Sequence, residues 1–274
     1  MAAVVGYLLA AGIAVGGALW VVGPRYVVRR DPTFEIGDVS ARHVTILGGL
    51  AAFAVTGIIF LVTQAQNVPD ASATAFTTVL AMFVVAYMGY FSSSLLFANV
   101  SHLAQATIFD LAAAQYVGAS ISLFSIYLGW FALVPLFEAF SLTRIADLVS
   151  WLLIGALLVG YSQLASAMNR SGYASVRVAV LLPVFAALAT LLYAAVIGVL
   201  APQFRSAEAT LALTHVAFVL AVPAYAIHMI LPIAARRDSV GGVLATRWHL
   251  VVVAYAEATM VLMGFVLLSI HGLA

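Results

Sequence analysis

Glu257 is the residue best placed to carry chemistry in this sequence, because it is ionisable in the otherwise apolar run LVVVAYAEATMVLMG. A carboxyl group inside hydrocarbon costs about 2.5–3.5 kcal/mol on insertion scales, so its retention calls for a reason. The functional reasons are a site for a proton or a cation, or a polar lock to a neighbouring helix. The bland one is a neutral acid hydrogen-bonded between helices for packing. His249 stands eight residues earlier, about 80° round a helix. The two can therefore line one vestibule, although a histidine near a helix end is also ordinary interfacial usage.

The remaining polar residues make a thinner inventory. His215 and His228 are thirteen residues apart, about 220° round a helix. This opposes a two-haem arrangement, whose axial histidines stack on one face, and leaves only a single haem at His228. Three runs carry hydroxyls and amides: Ser92, Ser93, Ser94 and Asn99; Gln115, Ser120, Ser122 and Ser125; Tyr161, Ser162 and Gln163. Such side chains commonly hydrogen-bond membrane helices together. There is no HExxH, no paired acidic motif, no GxSxG and no P-loop. Every carboxylate other than Glu257 falls in an expected loop or at a helix end, so carboxylates alone cannot assemble a buried acid/base pair. Cysteine is absent, which excludes disulfides and thiolate metal sites. All eleven cations are arginines, which excludes Schiff-base chemistry. The balance is against an enzyme.

The elements that position Glu257 follow from composition. Of 274 residues, 65% are hydrophobic and 8% charged, where a soluble domain needs roughly 25% charged residues. The surplus apolar surface must face a lipid bilayer. A net charge of +1 leaves no basic patch for nucleic acid. Crossing the bilayer takes about 20 apolar residues, and eight such runs are present: 2–22, 43–64, 75–99, 112–137, 148–168, 178–201, 211–234 and 248–271. They are continuously apolar and lack the alternation of a membrane barrel. The expected fold is all-α, a polytopic membrane bundle of eight transmembrane helices in a cell membrane. Residues 1–42 would supply an N-terminal helix and cytoplasmic loop, and residues 43–274 a seven-helix body. Pro183, Pro223 and Pro232 are expected to kink the sixth and seventh helices.

Arginine sets the orientation. The loops after helices 1, 5 and 7 hold nine arginines, and the even-numbered loops hold only Arg144 and Arg205. The odd loops are therefore predicted cytoplasmic and both termini non-cytoplasmic. Helix 1 lacks a basic segment before its apolar run, so it reads as an anchor and not as a cleaved signal peptide. Its Gly12-x-x-x-Gly16 pattern, with Gly17 beside it, is expected to let another helix approach closely.

Four stretches resemble the seven-helix microbial rhodopsins, with the orientation of the heliorhodopsin branch. TRWHLVVVAYAEATMVL (246–262) is similar to the last helix, which carries the retinal lysine. LLPVFAALATLLYAAVIGVLAP (181–202) is similar to the fifth, IADLVSWLLIG (145–155) to the fourth, and QYVGASISLF (115–124) to the third, where the counterion glutamate sits. In this chain Glu257 stands at the lysine position and Gly118 at the counterion position, so both halves of the chromophore site are replaced together. Covalent retinal is excluded, and helix 1 is additional to the family pattern. The resemblance implies a rhodopsin-like scaffold without photochemistry, its pocket left to a lipid, a carotenoid or a non-covalently bound retinoid.

The expected function is thus a non-enzymatic ligand-binding or sensory membrane protein. Its pocket, among helices 4, 7 and 8, would be formed by Glu257, His249, Tyr255, Gly118, Ser122 and Tyr225. Two alternatives stand beside it. One is a transporter or channel using Glu257 as a proton or cation site. The other is a structural subunit that packs against copies of itself or against other membrane subunits.

Overall fold

In lipid, every backbone N–H and C=O must find its partner within the spanning structure, which turns apolar runs of this length into helices. The computed structural model describes residues 2–22, 36–67, 73–101, 117–170, 184, 188, 208–220 and 241–270, and among them there is no strand. The helices are α1 (Ala2–Val22), α2 (Ile36–Gln64), α3 (Ala73–Ser101), α4 (Ala119–Phe131), α5 (Leu133–Ala139), α6 (Thr143–Arg170), α7 (Glu208–Leu220) and α8 (Gly241–Ile270). Among the described residues, four stretches are long and apolar enough to cross a membrane: Ala3–Trp20, Asp38–Gln64, Ala73–Ala98 and Ala119–Ala139. The last of these joins α4 to α5. Backbone bonds from Ala132 to Leu128 and from Leu136 to Ala132, at 3.0 and 3.2 Å, carry the helix through the position where Pro135 can donate none. The expected sixth span lies outside the described residues except for Val184 and Leu188, and the seventh is described only to Leu220. Pro183, Pro223 and Pro232 also lie outside them.

Boundaries differ from the apolar runs where polar turns extend a helix beyond the hydrocarbon. α2 begins at Ile36 and takes in Asp38 and Arg42, and α8 begins at Gly241. With 28 and 30 residues, α6 and α8 are about 42 and 45 Å long at 1.5 Å per residue.

Burial sorts the helices into layers. The outer faces of α1, α2 and α6 expose Leu9, Ile13, Trp20, Phe53, Phe60, Trp151 and Leu152. An apolar surface so extensive marks contact with lipid or protein, not water. α3 and α4 lie further in. Deepest is the second half of α8, where Met260, Val261, Leu262, Met263, Phe265 and Val266 are at most 1% exposed. Six of the seven consecutive positions 260–266 cover every direction round the axis, so this half-helix is enclosed on all sides, as an all-round apolar helix requires.

α2 and α3 form an antiparallel pair, in which His43 stacks on Phe97 with ring centroids 4.8 Å apart. α1 packs on α8 through a stripe of Ala3, Tyr7, Ala11, Ala14 and Ala18. Tyr7 donates a hydrogen bond of 3.2 Å to the Ala258 carbonyl and meets Phe265 edge-on. This corrects the expectation for Gly12 and Gly16. A Cβ built at either would have nothing within 4 Å. They sit about 100–140° round the helix from Ala11, and alanine supplies the close approach in their stead.

α5 turns into α6 through a Schellman motif. Leu142 N–H donates to the Phe137 carbonyl and Ser141 N–H to the Glu138 carbonyl, both at 2.8 Å, with Ser141 at φ 60°. Glycine favours that backbone conformation and serine is strained in it. Ser141→Gly is therefore expected to raise stability by about 0.5–1 kcal/mol. A thermal melt in detergent showing no gain would contradict it.

Candidate functional site

α8 carries Glu257 near its middle, and the surrounding bundle leaves the side chain 0% exposed. Neither carboxyl oxygen has a hydrogen-bond partner among the described residues. Ser120 Oγ and Ser125 Oγ on α4, which packs against α8, share that condition. So does Oε1 of Glu138, half-buried at the end of α5. Buried polar groups are paired in the great majority of cases, so each exception marks a place where a partner is to be sought. Two of these four residues are hydroxyls, whose cost is modest. Glu257 is the case that matters.

The expected pocket residues are distributed over different faces. Tyr255 and Glu257 are two positions apart on α8, about 200° round the axis, and so point in nearly opposite directions. The Tyr255 hydroxyl donates to the Leu220 carbonyl of α7. Its ring lines a cavity shared with Val85 of α3, Ile121, Phe124 and Ser125 of α4, Ala217 and Leu220 of α7, and Thr259 and Leu262 of α8. That cavity lies among the helices expected to form a pocket, but Glu257 does not border it. Its free volume is about 10 Å³, near the lower limit for one water molecule at roughly 10–15 Å³.

Gly118 and Ser122 come together on α4. The Gly118 carbonyl accepts from Ser122 Oγ at 2.7 Å and from Ser93 Oγ of α3 at 3.3 Å. A Cβ at Gly118 would stand 3.0 Å from Phe97 Cζ and 3.3 Å from Leu96 Cδ2. Phe97 thus occupies the space that a side chain at position 118 would need. His249 is within α8, with its backbone alone described, and Tyr225 lies outside the described residues. His215 is exposed, and its Nδ1 donates to the Leu211 carbonyl one turn back at 2.8 Å, a local bond that leaves it remote from the core. His228 lies outside the described residues.

Sequence reading passed over Tyr7, Gly89, Gly160 and Thr259. Gly89 of α3 faces Ser125 so closely that a Cβ there would meet Ser125 Cβ at 3.0 Å and overlap its hydroxyl. Single glycines in apolar runs carry no pattern that separates a close approach from ordinary usage, and only the helix rotations reveal them. Compared with protein-family models, with curated proteins and with solved structures, the chain matches none.

Proposed function

We propose that this is an eight-span helical membrane protein in which Glu257 takes up and releases a proton or a cation during transport. The observation that carries the reading is that, among the described residues, neither oxygen of a fully buried carboxyl group has a hydrogen-bond partner. A polar lock between helices would display a donor or acceptor from the neighbouring helix, as Tyr7 does toward Ala258. A carboxyl group whose partner arrives and departs accounts for an unmet bonding capacity that packing alone would have removed. Intramembrane acids mark ion and proton pathways by default. The arginine bias supports cytoplasmic odd loops and non-cytoplasmic termini.

Among the described residues the ligand-pocket reading is less well supported. The cavity beside Tyr255 holds about 10 Å³, against roughly 300–1,000 Å³ for a retinoid or carotenoid site. The packing around α8 also leaves Glu257 no share of that cavity.

The test is flux. Purified protein in liposomes loaded with a pH-sensitive dye, under an imposed potassium diffusion potential, is expected to move protons. Glu257→Gln keeps the size of the group and removes its titration, and it is expected to abolish the movement. Flux that survives Glu257→Gln unchanged removes Glu257 from the pathway. Wild-type liposomes as tight as empty ones, tested in turn with protons and with sodium and potassium gradients, sink the transport reading itself.

A further inference from the structure

The geometry points to a bound water molecule in the cavity between α3, α4, α7 and α8, held by Ser125, Tyr255 and Thr259 as a fixed part of the core. The hydrogen bonds of these three hydroxyls set what each can still offer. Tyr255 has committed its proton to the Leu220 carbonyl, and Thr259 has committed its own to the Tyr255 carbonyl at 2.7 Å. Both oxygens keep lone pairs and can only accept. Ser125 is 1% exposed and its Oγ has no partner among the described residues, so its proton is uncommitted. All three residues line the same cavity of about 10 Å³.

One water completes the set. It accepts from Ser125 and donates its two protons to Tyr255 and Thr259, making the three bonds that buried waters typically make. Ser92, Thr78 and Thr214 turn their hydroxyls to the backbone one turn earlier; Ser125 does not, and unlike Ser120, which shares that condition, it borders the cavity. Gly89 contributes by its lack of a side chain, since a Cβ there would overlap the Ser125 hydroxyl. The site is independent of Glu257, which lies on the far side of α8, and it stands whether or not the protein transports ions.

X-ray radiolysis tests this, because hydroxyl radicals born from a bound water label the side chains beside it. Full-length protein in lipid nanodiscs would be irradiated and digested for mass spectrometry. Phe124 lines the cavity and is 6% exposed, while Phe83 of α3 is 7% exposed and does not border it. Phe124 is expected to be labelled several-fold faster than Phe83. Ser125→Ala, a small change that leaves the helices in place, is expected to bring Phe124 down to the Phe83 rate. Equal rates in the wild type, or a fast rate at Phe124 that Ser125→Ala does not alter, would overturn the proposal. A melt of Ser125→Ala provides a second readout. A gain in stability means the hydroxyl was unsatisfied and no water is held, whereas a neutral or lowered melting point agrees with a water-bonded hydroxyl.

Discussion

Gly160→Ala is expected to separate α6 from α4 and to lower stability by about 1–3 kcal/mol. Gly160 is buried on α6, facing Tyr127 of α4, and a Cβ there would stand 2.6 Å from Cε2 and 2.7 Å from Cζ of the ring. The ring cannot yield cheaply. Its hydroxyl is anchored on the Ala156 carbonyl of α6, and Trp130 and Phe131 close on it with centroids 5.9 Å away. The added methyl group must therefore push the helices apart. Pairing Gly160→Ala with Tyr127→Leu removes the ring and is expected to recover most of the loss. Equal stability of Gly160→Ala and wild type, measured by unfolding in mixed micelles, would contradict the contact. Failure of the second substitution to rescue would show that the loss arises elsewhere.

Glu257→Met is expected to act in the opposite direction. Methionine is unbranched and of similar volume, and it fits an apolar surround without a bonding requirement. Replacing a buried polar group that has no partner is expected to raise stability by about 1–3 kcal/mol, while flux is lost. Glu257→Gln, which keeps polar atoms in the same place, is not expected to recover that energy. The pair thus separates two readings that activity alone would confuse. A Glu257→Met protein that melts below wild type would show that the carboxyl group holds helices together. Gained stability with lost transport is what a functional group kept against its local cost should give.

Much of the helical arrangement was legible, because apolar length is a one-dimensional property. The first run was expected at 2–22 and α1 spans Ala2–Val22. The burial of Glu257 within a long apolar helix was legible for the same reason. What escaped was rotation about the helix axis, which depends on neighbours distant in sequence. Gly12 and Gly16 had the right spacing for a packed face, yet α1 turns its alanines inward. Tyr255 and Glu257 share a helix and a depth, but only Tyr255 borders the cavity. The turn at Ser141 lacked its usual glycine, so nothing in the sequence announced a Schellman motif. Ser125 was visible as a polar residue in helix 4, but its missing partner was not, since that depends on where three other helices place their own hydroxyls.

The contact between α1 and α8 bears on the order of assembly. Tyr7 and Ala258 are 251 residues apart, so α1 enters the bilayer long before the surface it packs on has been synthesised. Until α8 arrives, the alanine stripe of α1 and the inner faces of α3 and α4 have only lipid, one another or an insertion factor to cover them. Contacts of such long sequence separation make a slow, late step. The bundle is therefore expected to remain open and protease-sensitive through most of its synthesis, and to lock when the enclosed half of α8 slides into its centre.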